Sequence, residues 1–532
     1  MTTVEAPRRR TPIRGWVWAA VAALPVALTA AWIGLGHDVR YVLGGLDVSP
    51  FGATGTFVHR PLAYRWLAEG LSVFDVGSVG VGEGLVRLVA LALTAGAAWW
   101  LRAGLRRRLP TGEASAVAAA VGLALALAPN WDFLQPEWVA AVLGTAAIGA
   151  ALRTSGLLAG LLLALGVLVG YTTLPTALIA LGVIAVLDRR RAALAGITAA
   201  VSGLALFGLS LLAPREWRWL REAWLLNDGT ARDLGSIVRF VANEAMLVPL
   251  VAVLPASLVV LVRVSRRRWA WPVLTVLALA LVLGAAVVQG QWFQFHLAAW
   301  VPLAAGVWAL AVARWTLVHG RPPWALVGAT VVVLFAARVC LGASYAWRSG
   351  HGALAYGLLA GLVVAATLAC AFEPGRGGRQ VLSVPVLVGV LALTVPILPT
   401  TPYSFDGVHA DYTNAGRVDI EHKFTEEMLA VRDRIGADTP VVYLAFGDIA
   451  YFTGNPTPCH PSPAYLRRGM DVPSVRDTAS YAENLACLSD PSVRYVVVQP
   501  LWIDAAGLVE GRFDCSRAIR NDDVVVCPRA ER

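Results

Sequence analysis

Long apolar runs separated by short polar segments occupy the first three quarters of the chain. A membrane-spanning helix needs roughly 20 mostly apolar residues, and runs of this kind recur from Trp16 to about Leu398. The run from Gly156 to Leu187 is long for one helix, so we divide it into two short passes that turn near Tyr171 to Pro175. The thirteen predicted spans are 16–36, 84–104, 113–129, 137–152, 155–170, 172–187, 193–213, 246–263, 270–289, 297–316, 324–343, 352–372 and 380–398.

The apolar pattern stops at Pro399, and the last part of the chain is ordinary in polarity. Helical periodicity covers Phe424 to Ile435, and the short apolar runs Val441 to Leu444 and Val493 to Val498 indicate strands. We therefore predict a polytopic α-helical membrane protein with a small C-terminal α/β domain. Its parts are an N-terminal tail (1–15), a transmembrane domain (16–398) and a soluble domain (399–532).

Composition and charge place these parts relative to a membrane. The 532 residues are 57% hydrophobic and 15% charged, a balance that requires the bilayer as solvent. The net charge of +9 comes from arginines in every second loop between apolar runs, which is the positive-inside pattern and not a nucleic-acid-binding face. The main clusters are Arg8 to Arg10, Arg106 to Arg108, Arg189 to Arg191 and Arg266 to Arg268.

This pattern predicts a multi-pass protein of the cytoplasmic membrane with its N-terminus in the cytoplasm. The first apolar run lacks a small-residue cleavage site, so we interpret it as a retained span. Thirteen crossings then place the C-terminal domain outside, where the compartment is oxidising.

The cysteines agree with that placement, because four of the six lie in the C-terminal domain. Three pairings are possible for Cys459, Cys487, Cys515 and Cys527. We favour the sequence-local one, Cys459 with Cys487 and Cys515 with Cys527.

Four predicted extracytoplasmic segments are conspicuous, namely 37–83, 130–137, 214–245 and 290–296. Acidic residues gather on this side, among them Asp38, Asp47, Asp75, Asp132 and Glu137. Asp38 directly follows the first span, and Asp47 lies nine residues further on. Spacing alone also allows Asp38 to be a solvated loop acid beside arginines that reach lipid phosphates. Segments 60–74 and 214–245 have the composition of interfacial amphipathic helices.

Several short motifs resemble the GT-C superfamily of membrane glycosyltransferases, most of all the protein O-mannosyltransferases and the lipid A aminoarabinose transferases. Those proteins carry a catalytic acid in an Asp-Glu-x-x-Tyr-like setting after span one, followed by a Lys-Pro-Pro-Leu-like motif. The matching segments here are Asp38-Val39-Arg40-Tyr41, His59-Arg60-Pro61-Leu62, Phe133-Leu134-Gln135-Pro136-Glu137 and Gln294-Phe295-His296. Val39 replaces the second acid, so Asp47 competes with Asp38 as the base, and the lysine that the family usually carries near Gly170 is missing.

The resemblance implies direct, inverting transfer of a hexosyl or pentosyl group from a polyprenyl-phosphate donor. The acceptor would be a cell-wall glycan, a lipid or a protein, with Asp38 or Asp47 as the catalytic base. The other roles that the resemblance suggests are binding of the donor phosphate by Arg60, Arg65, His296 or His59, and orientation of the acceptor by Asp132 or Glu137. We expect no cofactor and leave a divalent metal open.

Two other classes of function remain open at this stage. A lipid-linked-sugar flippase or transporter would need polar residues through the spans to both faces. A non-catalytic assembly or receptor protein would not depend on Asp38 and Asp47.

Overall fold

The fold is taken from a computed structural model, which describes part of the predicted first span and nearly all of the rest of the chain. The described residues are 23–29, 32–55, 60–153, 155–226, 233–265, 268–290, 292–375, 382–407, 409–460 and 462–531. The predicted tail 1–15 and the candidate His59 lie outside them.

Apolar helices make up most of the chain before residue 399, as expected for a multi-pass membrane protein. Within the described residues, six helices are long and apolar enough to cross a bilayer: Val79–Leu105, Arg189–Ser210, Ala270–Gln289, Trp300–His319, Trp324–Leu341 and Tyr345–Phe372. Shorter helices are Thr111–Ala126, Pro136–Arg153, Gly156–Leu168, Leu174–Leu187, Leu254–Val264 and Ser383–Thr394. The run from 156 to 187 is indeed two helices, joined through a 3-10 turn at Tyr171–Thr173. The count of thirteen spans remains a prediction.

The structure corrects the predicted span 246–263, which is not one continuous helix. A helix over Leu234–Leu247 ends before Pro249, a short helix covers Pro249–Ala252, and a third helix begins at Leu254 just before Pro255. Proline lacks a backbone N–H and clashes with the preceding turn, so each proline starts a new helix.

The helix Trp300–His319 is the most buried of the six long helices, with Trp315 and Ala311 fully enclosed. It packs against Thr111–Ala126 and Leu254–Val264. In contrast, Arg189–Ser210 exposes Ile197, Val201 and Leu204 along one side. Such a continuous apolar surface is suited to lipid rather than water.

Short helices cover the end of the bundle where the chain leaves the first span. They are His37–Val48, Gly52–Gly55, Leu62–Ser72 and Pro214–Glu222, with 3-10 turns at Ala223–Leu226 and Gln294–Leu297. The segments 60–74 and 214–245, predicted to be interfacial, are thus helical in large part. We call His37–Val48 the Asp38 helix.

Arginine-rich loops meet one another elsewhere on the bundle. Arg108 contacts Asp188 across two loops, and Arg321 lies 3.3 Å from Glu373. Arg263 donates to the carbonyl oxygens of Cys370 and Glu373. Arginines near these predicted cytoplasmic loops are therefore paired with acidic side chains or carbonyl oxygens of other segments.

The C-terminal region (399–531) carries a four-stranded sheet. The strands are β1 (Val441–Leu444), β2 (Tyr495–Val498), β3 (Ile519–Arg520) and β4 (Val525–Pro528), in the order β1-β2-β4-β3. β1 and β2 are parallel, and β4 is antiparallel to both β2 and β3. The helices are Asn414–Ile435, Asp448–Thr453, Ala464–Asp471, Pro473–Arg476, Ala479–Cys487 and Ala506–Val509, with a 3-10 turn at Cys515–Arg517. The predicted helix and both predicted strands are therefore present.

Two disulfides and one close helix contact fix this region. Cys459 is bonded to Cys487, and Cys515 to Cys527, which is the sequence-local pairing. The helix Asp448–Thr453 packs directly on the Asp38 helix. A Cβ atom at Gly44 would lie 2.5 Å from the Tyr451 backbone, so only glycine permits this approach.

Candidate functional site

The two candidate bases lie on opposite faces of the Asp38 helix. Residues of a helix advance by about 100° each, so nine residues place Asp47 about 180° away from Asp38. Asp47 is exposed to solvent, whereas Asp38 is half-buried and faces other polar groups. The two carboxylates therefore cannot serve the same site.

Asp38 has one close hydrogen bond and one loose ionic contact. The Gln135 side-chain amide donates to Asp38 Oδ2 over 3.0 Å, and Arg60 Nη2 lies 3.6 Å from Asp38 Oδ1. The side chains of Asp38 and Arg60 are 21% and 27% exposed. Gln135 holds one carboxylate oxygen, which leaves the other directed toward Arg60.

The loop before the helix Pro136–Arg153 places Gln135. Leu134 has a φ of 65°, in the left-handed region that non-glycine residues rarely adopt. Its carbonyl oxygen accepts a 2.8 Å hydrogen bond from the Tyr64 hydroxyl. Phe133 lies under the Arg87 guanidinium, 3.9 Å from the ring centroid. These contacts stabilise a strained turn, and strain of this kind is often found at functional sites.

Glu137 and His296 form a second polar pair nearby. His296 Nδ1 lies 3.3 Å from Glu137 Oε1, and the Thr172 hydroxyl donates to the same oxygen over 3.1 Å. Three separate segments therefore meet here: the starts of the predicted spans 137–152 and 172–187, and the loop before the span 297–316. The Nδ1–H of His296 donates to Glu137, so this hydrogen bond does not involve Nε2, the second ring nitrogen.

Asp132 lies in the same loop as Gln135 and is buried. Burial raises the pKa of Asp132 to about 8, and the nearby Glu137 carboxylate adds to the rise. The Asp132 side chain is therefore mostly protonated at neutral pH, so it can act as a hydrogen-bond donor.

Several buried polar atoms here have no hydrogen-bond partner within the described part of the chain. Buried polar groups are nearly always satisfied in folded proteins, so such atoms call for a ligand, ion or water. The atoms are Arg60 Nε, Asp132 Oδ1, Gln294 Oε1 and His296 Nε2. We call Asp38, Arg60, Asp132, Gln135, Glu137, Gln294 and His296 the polar cluster.

Two candidates from the sequence lie outside the polar cluster. Arg65 is fully buried, contacts Glu216 and donates to the carbonyl oxygen of Ala53. Its guanidinium ties the helix Leu62–Ser72 to the helix Pro214–Glu222. Asp47 is exposed on the opposite face of the Asp38 helix.

The C-terminal region contributes residues that sequence reasoning missed. His37 Nδ1 lies 2.9 Å from Asp448, and Phe446 stacks on the His37 ring at 4.3 Å. Burial opposes the charged form of His37, but Asp448 outweighs it and raises the pKa of His37. Burial of Asp448 would raise its pKa, but the neighbouring His37 outweighs this effect and lowers the pKa of Asp448. His37 precedes Asp38 and could have been noticed, whereas nothing in the sequence links Asp448 to it.

The described residues contain no group of three or more His, Cys, Asp or Glu side chains arranged to hold a metal ion. The four unpartnered atoms of the polar cluster mix donors and acceptors. This mixture suits a ligand with hydroxyl and phosphate groups.

Solved structures share this fold over nearly the whole chain. ArnT from Cupriavidus metallidurans in the apo state matches with a TM-score of 0.59 and 14% identity, covering 97% of this chain and 98% of that one. ArnT from the same organism bound to undecaprenyl phosphate matches with a TM-score of 0.54 and 15% identity over the same shares. The Archaeoglobus fulgidus oligosaccharyltransferase, tethered to an acceptor peptide, gives a TM-score of 0.40 at 12% identity, covering 97% of this chain and 74% of that one.

No protein-family model matches the sequence, and no curated protein matches it either. The likeness to ArnT therefore concerns the fold. The fold that the resemblance implied is confirmed at this level.

Proposed function

We propose that this protein is a glycosyltransferase that moves a sugar from a polyprenyl-phosphate donor to an acceptor on the extracytoplasmic side of the cytoplasmic membrane. The observation that carries the proposal is the half-exposed Asp38–Arg60 contact, beside buried polar atoms without partners. This cluster occurs in a fold shared with ArnT, which has been solved bound to undecaprenyl phosphate.

In the proposed step, an acceptor hydroxyl oxygen attacks the anomeric carbon of the donor sugar. Asp38 takes the hydroxyl proton, the bond between the anomeric carbon and the phosphate oxygen breaks, and polyprenyl phosphate leaves with the bonding electrons. The new glycosidic bond has inverted configuration. The Asp38 oxygen not held by Gln135 is the proton acceptor.

Arg60 is the first choice to hold the departing phosphate. Its Nε–H is buried without a partner, and its contact with Asp38 is loose enough to be exchanged for a phosphate oxygen. Electrostatic stabilisation of developing charge is usually the largest catalytic term. With Nδ1–H donated to Glu137, His296 donates from Nε2 to the same phosphate only as the doubly protonated imidazolium.

The other candidates take supporting roles in this proposal. Protonated Asp132 can donate to an acceptor oxygen, and Glu137 positions His296. Arg65 acts as a positioning residue for the segment that carries Arg60, because it joins Glu216 in the protein interior. His59, which lies outside the described residues, remains a predicted ligand of the phosphate.

The test uses purified protein, a panel of labelled polyprenyl-phosphate sugars and a membrane extract as the source of acceptor. Asp38→Asn is expected to lower transfer roughly 10²- to 10⁴-fold, because loss of a general base costs about this much. Asp47→Asn is the matched control on the opposite helix face and is expected to transfer within about twofold of wild type.

Equal loss in both variants would contradict the assignment of Asp38. No transfer from any donor by folded wild-type protein would contradict the enzyme proposal, and the flippase reading would then replace it.

A further inference from the structure

A pocket lies between the Asp38 helix and the C-terminal region, and the space around it, open solvent included, is about 590 Å³. The proposed transfer step does not use the pocket. Tyr41, Gly45 and Val48 line it from the Asp38 helix, and Phe446 and His460 line it from the C-terminal region.

The pocket continues along the helix face that carries Asp38. Tyr41, Gly45 and Val48 follow Asp38 by three, seven and ten residues, which places all four within an arc of about 80°. A molecule that fills the pocket therefore lies on the same side of the helix as the proposed base. Asp47 is on the far side and cannot reach this molecule.

The lining combines aromatic rings, several of them stacked on one another, with neutral polar groups. Phe446 stacks on Tyr41 with ring centroids 5.7 Å apart. Ser49 and Thr457 supply hydroxyl groups, and Asn484, whose amide nitrogen donates to the carbonyl oxygens of Ser462 and Ser480, supplies a carbonyl oxygen. Of the described residues that line the pocket, none is Asp, Glu, Lys or Arg. Burial lowers the pKa of His460, so its ring is neutral at physiological pH.

This chemistry fits an uncharged sugar. The C–H face of a sugar ring packs on an aromatic ring, and its hydroxyls bond with neutral donors and acceptors. A phosphate or carboxylate would lose hydration without gaining a counter-charge, which is costly. The pocket therefore differs from the polar cluster, where Arg60 and His296 suit a phosphate.

Aromatic rings extend this surface past Asp38. The His37 ring, stacked on Phe446, lies 6.1 Å from Trp131, and Trp131 stacks on His409 at 4.9 Å. His409 has a φ of 56°, the left-handed conformation that side chains rarely adopt. His409, which the C-terminal region holds in this conformation, therefore extends the row of partly exposed rings formed by Phe446, His37 and Trp131.

We propose that the pocket binds a neutral sugar unit of the acceptor, so that the acceptor is a carbohydrate. This inference rests on the proposed glycosyl transfer and names its acceptor class. It also gives the C-terminal region a direct part in substrate binding, because Phe446 and His460 come from it.

Saturation-transfer NMR on the full-length protein in detergent tests the pocket without catalysis. The probes are methyl glycosides of neutral hexoses and pentoses, together with hexose phosphates. At least one neutral glycoside is expected to bind wild type and Asp38→Asn with equal affinity. The hexose phosphates are expected to bind both proteins at least tenfold more weakly. Ala450→Phe, which fills the pocket, is expected to weaken binding tenfold or more. Ala506→Phe is the matched control, because Ala506 is exposed and does not line the pocket.

The outcomes separate this inference from the proposed function. Glycoside binding that Ala450→Phe abolishes, without transfer from any donor, would support the pocket and contradict the enzyme. If wild type transfers sugar and Ala450→Phe has an unchanged KM for the acceptor, the assignment of the pocket is overturned. The same holds if Ala450→Phe raises only the KM for the donor, by tenfold. If Ala450→Phe fails to fold, His460→Ala takes its place, with an expected rise in acceptor KM of about fivefold. No glycoside binding to folded wild type would overturn the inference.

Discussion

Asp38 and Arg40 lie two residues apart on one helix, yet their surroundings are opposite in kind. Arg40 is 4% exposed and contacts Glu83 at 2.5 Å and Glu421 at 2.8 Å. Glu83 is 3% exposed and also accepts from the backbone N–H of Leu35. Asp38 and Arg60 are each more than a fifth exposed and stand 3.6 Å apart.

The difference separates charges that hold the fold from charges that are available for chemistry. Arg40, Glu83 and Glu421 join the Asp38 helix to the helix Val79–Leu105 and to the helix Asn414–Ile435. A buried pair like this is costly to break, because the remaining charge stays desolvated. The Asp38–Arg60 contact loses little when a substrate replaces it, since water already reaches both side chains.

The largest expected effect comes from breaking the buried pair. Glu83→Gln keeps the shape but removes the charge opposite Arg40, and we expect a loss of roughly 3–5 kcal/mol in stability. Thermal unfolding of the purified protein in detergent measures this loss. Arg60→Gln serves as the control and is expected to unfold within a degree or two of wild type. If Glu83→Gln were as stable as wild type, the proposed difference between the buried Arg40–Glu83 pair and the Asp38–Arg60 contact would be contradicted.

The next effect concerns activity. Arg60→Gln is expected to lower kcat/KM for the lipid-linked donor roughly 10- to 100-fold, the equivalent of one hydrogen bond to a charged group. Arg65→Gln is the contrasting variant, and its main effect is expected on the unfolding temperature because Arg65 is buried against Glu216. Initial rates at varied donor concentration check both. A larger kinetic loss in Arg65→Gln than in Arg60→Gln would reverse the two assignments.

The last prediction is a pH dependence from Asp132. Its pKa in the folded protein is raised to about 8, above the value of about 4 expected in the unfolded chain. The stabilising contribution of the protonated form is therefore complete below about pH 4 and is lost as pH rises through about 8. Between pH 6 and 9, the unfolding temperature of wild type should fall more steeply than that of Asp132→Asn. Parallel slopes would show that Asp132 does not titrate in this window.

Much of the architecture could be predicted because bilayer burial leaves a strong local signal. The paired short helices around Tyr171–Thr173 follow from run length and arginine placement. The span predicted at 246–263 failed because the apolar run hides two prolines that interrupt the helix. Hydropathy indicates burial in lipid, but it does not register that Pro249 and Pro255 lack the backbone N–H group that a continuous helix needs.

The site was predictable in part. Asp38, Arg60, Glu137 and His296 come from short motifs, and the structure brings these four residues to one end of the bundle. The choice between Asp38 and Asp47 needed the helix itself, since their angular separation decides which faces the other polar groups. The sequence indicated Arg65 as a phosphate ligand, but Glu216, more than a hundred residues away, contacts its guanidinium.

By itself the sequence determined a membrane bundle, a polar C-terminal region with strands, and a set of acids and arginines near the first span. Hydrophobic periodicity and loop charge are local properties, so they can be read along the chain. Only the tertiary structure decided which charges are paired in the interior and which remain open. It also brought Phe446, Asp448 and His460 against the Asp38 helix. Such contacts join residues about 400 positions apart, and their energies depend on distance and burial that exist only once the chain has folded.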